Sequence, residues 1–239
     1  NLNWGFNSAP DLLNYILYRS SSPTIDPYTA TPLSAVTETS FTDTSPLTGV
    51  SYYFIVAQDI HGNYSPVAVT QRPFVTLNLT MLIQGFYNST TNLMVQDTAR
   101  VYLRNSSSPY AIVDSAKAYL SNTGAGTFSF SNAVNGINYY LQLKHRNSLE
   151  TWSKTAQTFT GNNLTYNFTT ANTQAYGNNI INVDASPVRY ADYSGDVIQN
   201  GIVELNDILS VYNAATVFSS GYVVNDINGD SIADLNDII

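Results

Sequence analysis

Alternating apolar and polar residues recur along most of the chain and predict β-strands. In segment 75–80 (VTLNLT), valine and two leucines occupy every second place, with Thr, Asn and Thr between them. Segments 139–144 (YYLQLK) and 164–169 (LTYNFT) have the same period. Successive side chains of a strand point to opposite faces, so this period gives each strand one apolar face. The pattern predicts a mainly β chain.

Residues 1–73 contain short apolar runs separated by turn residues, at intervals typical of a β-sandwich. The runs Leu2-Asn3-Trp4, YILYR at 15–19 and YYFIVAQD at 52–59, followed by Gly-Asn-Tyr-Ser at 62–65, resemble a fibronectin type III domain. The resemblance implies a sandwich over residues 1–73. It also implies that the first strand of the domain lies before Leu2 and is missing.

A second β-rich block covers residues 74–176, where about seven alternating segments predict another sandwich. The run GTFSF at 126–130, followed by NGINYY at 135–140, resembles prealbumin-like or carboxypeptidase-regulatory-like sandwiches of secreted proteins. Gly, Asn, Ser and Pro are frequent in residues 177–189, which we therefore interpret as a linker.

The last fifty residues contain two acidic twelve-residue runs that begin at Asp196 and Asp226. Calcium prefers six to eight oxygen ligands, and an EF-type loop supplies them from alternate positions, a backbone carbonyl at position seven and an acid at position twelve. The second run fits this scheme, although Ser231 stands at position six, where glycine is usual. Its predicted ligands are Asp226, Asn228, Asp230, the carbonyl of Ile232, Asp234 and Asp237.

The first run is a poorer match to the same scheme. Ile198 stands at position three and has no side-chain oxygen, whereas Gly201 keeps the usual residue at position six. We expect this loop to bind calcium more weakly. Its predicted ligands are Asp196, Asn200, the carbonyl of Ile202, Glu204 and Asp207. Without metal, both runs would be acidic turns in which Asp and Asn cap helices.

Paired loops that end in Asp and precede an apolar run, such as ILSVY at 208–212, resemble dockerin modules. The resemblance implies a small α-helical calcium-binding module over residues 190–239, docking onto a cohesin-like partner. Since Ile239 follows the second loop by two residues, we expect a truncated module and a chain that is a piece of a longer protein.

Charge separates this tail from the rest of the chain. Residues 184–239 hold nine acidic residues and one basic residue, so the whole formal charge of −8 belongs to them. Nucleic acid is therefore not an expected partner. The chain contains no cysteine, and no apolar stretch approaches the ~20 residues of a membrane-spanning helix. Only 11% of residues are charged, which suits extracellular β-structure rich in hydroxyl groups and tyrosine.

Catalytic chemistry has little support in the sequence. His61 lies in a Gly/Asn turn, and His145 lies in a basic run near Glu150 that we interpret as a surface patch at a strand edge. We predict no catalytic residue. Tyr140 and Trp152 are candidates for a ligand- or partner-binding surface, because aromatic rings stack on sugars and fill interfaces. Asp-Thr-Ala and Asp-Ser-Ala resemble bacterial O-glycosylation sequences, with Thr98 and Ser115 as acceptors.

These observations favour a non-catalytic, extracellular structural or adhesive segment of a larger secreted or cell-surface protein. Calcium would stabilise its tail, and it would partner with cohesin-like proteins, with cell-surface components or with itself in a filament or sheath. Two alternatives stay open. One is the accessory region of a secreted polysaccharide-degrading enzyme, and the other is a carbohydrate-binding module.

Overall fold

The computed structural model describes residues 1–47, 49–71 and 74–238. It divides the chain into two units, Asn1–Phe74 and Val75–Ile239. Both units are built mainly from strands, which confirms the predicted fold class at this level. Arg72 and Pro73, at the predicted boundary between the two sandwiches, and the final Ile239 lie outside the described residues.

Within its described residues, the first unit holds six strands in two sheets. They are β1 (Leu2–Asn3), β2 (Leu12–Ser20), β3 (Ser34–Val36), β4 (Ser40–Phe41), β5 (Tyr52–Asp59) and β6 (Ala68–Gln71). One sheet has the order β3-β2-β5-β6, and the other pairs β1 with β4. Within the described residues no further strand pairs with β1 or β4. The assignment to the fibronectin type III family stays a prediction.

Residues 15–18 of β2 are buried on both faces of the sheet, and this part of the strand is a continuous apolar run. Ile16 and Tyr18 pack with Phe54 and Val56 of β5 on one side. Tyr15 lies on the other side, where its ring centre is 5.5 Å from that of Trp4. A strand that alternated apolar and polar residues could not fill both sides.

The described part of the second unit, residues 75–238, begins with thirteen strands. They are β7 (Val75–Thr80), β8 (Leu82–Ile83), β9 (Tyr87–Asn88), β10 (Leu93–Met94), β11 (Asp97–Asn105), β12 (Ile112–Leu120), β13 (Ala125–Phe130), β14 (Asn138–Lys144), β15 (Thr151–Trp152), β16 (Gln157–Thr158), β17 (Asn163–Asn167), β18 (Ile181–Ala185) and β19 (Val188–Asp192). Short 3-10 helices lie at Gln84–Phe86, Phe168–Thr170, Asn172–Gln174 and Tyr176–Asn178.

Two sheets enclose the core of this unit. One has the order β12-β11-β14-β15, with β16 also pairing with β14, and the other has the order β13-β7-β17. The alternating apolar residues predicted from the sequence, such as Leu77 and Leu79 of β7, are fully buried between them. In β17, which pairs in parallel with β7, Tyr166 belongs to the same core.

The segment 177–189, interpreted from sequence as a linker, contains regular structure instead. Strands β18 and β19 form a hairpin in which Ala185 pairs with Val188, so Ser186 and Pro187 make the turn. Strand β19 also pairs in parallel with β8, and Ala191 is fully buried there. These strands are short and about half of their residues are polar, so the sequence pattern does not distinguish them from a loop.

The tail follows β19 directly and belongs to the second unit rather than forming a separate unit. Its only α-helix within the described residues is α1 (Leu205–Thr216), after the first acidic loop. Val211 and Ala215 of α1 are buried. A 3-10 turn at Leu235–Asp237 ends the second loop. One helix does not make the α-helical module that the dockerin resemblance implies, so that assignment stays a prediction.

Candidate functional site

The acidic loops of the tail

Asp226, at position one of the second loop, is buried, and its carboxylate organises the backbone of the loop. Its Oδ1 accepts hydrogen bonds from the N–H groups of Gly229 at 2.7 Å and Asp230 at 3.1 Å. Its Oδ2 accepts from the N–H of Ser231 at 3.2 Å and from the Arg146 guanidinium at 3.1 Å. The carboxylate therefore holds the turn at positions four to six.

Asp237, at position twelve, closes the loop from the other end. Its Oδ1 accepts from the N–H groups of Ile227 and Asn228 at 2.7 and 3.0 Å. Its Oδ2 accepts from the N–H of Asp234 at 2.8 Å. Asp226 and Asp237 stand at opposite ends of the twelve-residue run, and their hydrogen bonds hold it as one closed loop.

The first loop repeats this bonding with its own residues. Asp196 accepts from the N–H groups of Asn200 and Gly201, both at 3.0 Å, through separate carboxylate oxygens. Asp207 accepts from Ile198 at 3.1 Å and from Glu204 at 3.0 Å. In both loops, position one binds positions five and six, and position twelve binds positions three and nine. The two runs are thus structural duplicates.

Backbone angles agree between the loops as well. Positions four and six are left-handed in both: Gln199 and Gly201 have φ of 56° and 87°, and Gly229 and Ser231 have φ of 81° and 74°. A left-handed residue other than glycine is strained, because its Cβ crowds the backbone. Ser231 therefore keeps the sharp turn at position six at a cost in stability.

The oxygen donors of the second loop suit a hard divalent cation such as calcium. Each oxygen of Asp230 accepts a single hydrogen bond within the described residues, which leaves a lone pair on each for an ion, whereas both oxygens of Asp226 already accept two. Among the described residues, the only group of three His or acidic side chains with ligand atoms all within 4.8 Å of one another is Asp11, Asp59 and His61, in the first unit. No three acids of either loop meet this limit, and a calcium site there would also use Asn228 and the Ile232 carbonyl.

Docking of the loops on the sandwich

A short segment after β14, residues 145–148, contacts both acidic loops, and we call it the docking segment. The carbonyl of Asn147 accepts from the N–H of Gly195 at 2.7 Å, next to the first loop. The Asn147 side-chain amide donates to the carbonyl of Asp226 at 2.7 Å. The carbonyl of Ser148 accepts from the Gln199 amide at 3.0 Å. One segment of the sandwich therefore positions both loops.

Arg146 joins the sandwich to the second loop through two carboxylates. Its Nε donates to Asp97 Oδ2 at 2.8 Å, and its Nη2 donates to Asp226 Oδ2 at 3.1 Å. The guanidinium also lies over the rings of Tyr222 and Phe86, at 4.6 and 5.3 Å from their centres. Its side chain is only 10% exposed. Arg146 thus neutralises two buried acids on two different parts of the unit.

Asp97 is held ionised by its partners. Burial by itself raises the pKa of this carboxyl, but hydrogen bonds from His145 and Arg146 outweigh burial and hold the pKa well below its ordinary value. His145 Nε2 lies 3.1 Å from Asp97 Oδ2, and His145 Nδ1 lies 3.2 Å from the Ser148 hydroxyl. His145 is 2% exposed. The prediction of a surface patch is therefore wrong for His145, Asn147 and Ser148, because all three are buried: His145 contacts Asp97 and Ser148, and the Asn147 amide bonds the second loop.

A glycine lets the second loop approach the sandwich. A Cβ on Gly85, in the 3-10 helix Gln84–Phe86, would lie 2.2 Å from the carbonyl oxygen of Ile227. No side chain fits at that separation. Gly85 therefore brings the loop backbone against the sandwich.

Other predicted residues and the comparisons

The remaining predicted residues lie on the sheet containing β11, β12, β14 and β15. Tyr140 and Trp152 are neighbours there, with ring centres 6.0 Å apart. Thr98 and Ser115 lie on adjacent strands, β11 and β12, and both are partly exposed. His61 is exposed in a turn, as predicted. Glycosylation of Thr98 and Ser115 and ligand binding at Tyr140 and Trp152 stay predictions.

Sequence reasoning missed Arg146 and Asp97 as partners of the tail. Asp97 and Asp226 are separated from Arg146 by 49 and 80 residues, and no local pattern connects them. The one available signal was the basic run that contains Arg146, in a chain with few charges.

Comparison with known proteins yields little. No protein-family model matches the chain. No curated protein matches it either. Among solved structures, it is similar to a chain from the crystal structure of an N-terminal interface mutant of a type II cohesin–X–dockerin complex of Acetivibrio cellulolyticus, at 15% identity and a TM-score of 0.36, over 70% of this chain and 91% of that one. A TM-score this low carries no argument about the function.

No helix in the described part of the chain is long and apolar enough to cross a membrane.

Proposed function

We propose that this chain is a non-catalytic, extracellular structural or adhesive segment of a larger secreted or cell-surface protein. Calcium binds its tail loops and locks the tail onto the second sandwich. The second loop is the stronger site, held by Asp226, Asn228, Asp230, the Ile232 carbonyl, Asp234 and Asp237. The first loop is weaker, since Ile198 contributes no side-chain oxygen at position three.

The observation that supports this proposal is the duplicated hydrogen-bond pattern of the two loops. The four backbone hydrogen bonds that Asp196 and Asp207 accept recur at the equivalent positions of the second loop, where Asp226 and Asp237 accept them. Metal-free capping explains the bonds between positions nine and twelve, Glu204 with Asp207 and Asp234 with Asp237, but it does not require the buried carboxylate at position one. A cation would relieve the repulsion among the loop acids and so favour the docked tail.

The acidic side chains of the second sandwich are engaged in hydrogen bonds and ion pairs, which agrees with a non-catalytic role. Asp97 binds Arg146 and His145. Both oxygens of Asp114 accept from backbone N–H groups, and Glu150 pairs with Lys144 at 3.0 Å. Each of these carboxylates is thus held by neighbouring groups.

Calorimetric titration of calcium into the whole chain tests the proposal. We expect two binding events, of which the tighter disappears in the double variant Asp226→Ala/Asp230→Ala. Glu38→Ala, which removes an exposed acid outside the loops, is the matched control and should leave both events unchanged. Magnesium at the same concentration should bind more weakly, because it demands octahedral geometry and gives up its water reluctantly.

Limited proteolysis and light scattering supply the structural readout. Calcium should slow cleavage within residues 193–238, and the double variant should lose that protection. An absence of calcium binding at millimolar concentration would refute the calcium-locked tail. Calcium binding that leaves both cleavage and assembly state unchanged would refute the locking role while leaving the metal site in place.

A further inference from the structure

The outer face of the sheet containing β11, β12 and β14 concentrates basic and aromatic side chains. Strand pairing places Arg100 opposite Lys117 and Lys144, and Arg104 opposite Tyr140. Tyr102 is opposite Gln142, which in turn is opposite Trp152. Because directly paired residues share a face of the sheet, these side chains lie together. We call this set the basic aromatic face. It comprises Arg100, Tyr102, Arg104, Lys117, Tyr140, Lys144 and Trp152.

The basic aromatic face carries positive charge, although the chain as a whole is negatively charged. The chain has nine basic residues and a net charge of −8, yet four of the nine basic side chains belong to this one face. Lys144 is paired with Glu150. Among the described residues, no carboxylate lies within ion-pair distance of Arg100, Arg104 or Lys117. Three cations therefore stand without an acidic partner.

A cleft of about 290 Å³ opens beside Arg104, and its walls are aromatic. Tyr110, Tyr140, Trp152 and Tyr176 line it. The Tyr110 ring stands edge-on to Tyr140 and Trp152, with centres 5.9 and 6.3 Å away. Its size is at the small end for ligand sites and suits a sugar ring rather than a folded partner.

Hydrogen bonds hold the cleft in shape before any ligand arrives. Arg104 Nε donates to the buried Gln142 at 2.6 Å, and Arg104 Nη1 donates to the Tyr110 carbonyl at 3.3 Å. The guanidinium carbon of Arg104 lies 5.5 Å from the centre of the Trp152 ring. Burial raises the pKa of Glu150, but hydrogen bonds from Trp152 and Lys144 outweigh burial and lower it. Trp152 is thus fixed between Arg104 and Glu150.

We propose that the basic aromatic face and its cleft bind an acidic polysaccharide, one whose sugar rings carry carboxylate or sulfate groups. Aromatic rings pack against the apolar C–H faces of sugars, and guanidinium groups bind carboxylate or sulfate oxygens through paired hydrogen bonds. This activity goes beyond the calcium-locked structural role and does not rest on it, because no residue of the face belongs to either acidic loop.

The chemistry of the cleft favours a sugar over an acidic peptide. The hydroxyl groups of Tyr110, Tyr140 and Tyr176 make no hydrogen bond within the described part of the chain, and Tyr176 is 65% exposed. Sugar hydroxyls match such donors and acceptors. An acidic peptide would bind the cations, but its carboxylate side chains present no ring of C–H groups and hydroxyls to the aromatic walls.

Fluorescence of Trp152 gives a local readout of binding in the whole chain. The chain has two tryptophans, so Trp4→Phe leaves Trp152 as the only indole. This protein is titrated with a heparin oligosaccharide for sulfate, an oligogalacturonate for carboxylate and a neutral dextran oligomer, and calorimetry checks each affinity. We expect binding of at least one acidic oligosaccharide that weakens with added salt, and none of dextran.

Substitutions then test the two parts of the site. Arg104→Gln should weaken binding about tenfold, the effect of losing one charge-assisted contact. Lys117→Gln and Tyr176→Ala change exposed side chains without partners, so they should fold normally and weaken binding several-fold. Arg189→Gln, a basic residue outside the face, is the matched control and should bind like the parent. Thermal unfolding verifies that each variant is folded.

Three results would overturn the proposal. The first is an absence of binding to both acidic oligosaccharides. The second is unchanged affinity in Lys117→Gln and Tyr176→Ala. The third is equally tight binding of polyglutamate or of single-stranded oligo-dT, which would show that the face recognises negative charge on another class of polymer. Preference for the sulfated or the carboxylated sugar identifies which acidic group it recognises.

Discussion

Arg146 is the residue whose loss should most clearly separate the tail from the sandwich. Arg146→Met keeps much of the side-chain volume but removes the charge between Asp97 and Asp226. Asp97 retains His145, whereas Asp226, which is 1% exposed, loses its only cation within the described residues. Breaking one partner of a buried ion pair leaves an uncompensated charge and costs about 3 kcal/mol or more.

Calcium should reduce this loss, because the ion and Arg146 neutralise the same carboxylate. In EDTA we expect the free energy of unfolding of the second unit to fall by about 3 kcal/mol, which corresponds to roughly 6–12 °C in Tm for a unit of this size. In saturating calcium the loss should be smaller by at least about 1 kcal/mol, since bound ion compensates Asp226 in the native state only. Calcium thus stabilises the variant more than it stabilises the parent chain.

Urea unfolding followed by Trp152 fluorescence, in the Trp4→Phe background, measures the second unit alone. Arg189→Met is the control, since Arg189 makes no ion pair among the described residues, and it should change stability by less than about 0.5 kcal/mol. The pair Arg146→Met and Asp226→Asn, made singly and together, gives the coupling between the two side chains. Equal losses with and without calcium, or a loss below about 1 kcal/mol in EDTA, would refute the reasoning.

Four further changes test separate features. Burial raises the pKa of Asp192 well above its ordinary value. The stability that protonated Asp192 contributes is therefore full below about pH 4 and is lost as the pH rises through the folded-state pKa. Asp192→Asn should flatten the fall of Tm measured from pH 4 to 8, and an unchanged slope would contradict this. Ser231→Gly should relieve the left-handed strain at φ 74° and raise stability by about 0.5–1 kcal/mol in urea unfolding. Ile198→Asp supplies the missing oxygen at position three and should raise the calcium affinity of the first loop about tenfold by calorimetry, with Ile202→Asp as a control whose side chain is not a ligand. Gly85→Ala should destabilise the second unit by about 1–3 kcal/mol and weaken calcium binding at the second loop, because its Cβ would meet the Ile227 carbonyl; wild-type behaviour in both assays would contradict the close approach.

Local patterns predicted the parts of this fold that depend on local spacing. The period of two in residues 75–80 identified β7 and its buried face, and the twelve-residue spacing from Asp226 to Asp237 identified a loop whose ends are joined by hydrogen bonds. Both features follow from the geometry of a few consecutive residues. Whether the loops bind calcium stays a prediction.

Contacts between distant parts of the chain could not be predicted in this way. Nothing near Arg146 in sequence indicates that its guanidinium meets Asp97 and Asp226, and His145 in a basic run suggested a surface that the structure buries. The same holds for Tyr110 and Tyr176, which join Tyr140 and Trp152 only because strand pairing and a 3-10 helix bring them to one cleft. Such contacts depend on topology, which one sequence does not reveal.

The parallel pairing of strands in the second unit has a mechanical consequence. The unit is entered through β7, which pairs in parallel with β17 over five residues, and the tail leaves from β19, which pairs in parallel with β8. Tension applied to the two ends of a parallel pair loads all of its interstrand hydrogen bonds at the same time in shear. They do not break one after another from one end. A chain pulled between an anchored start and a bound tail would therefore resist extension at both pairs before its core is exposed.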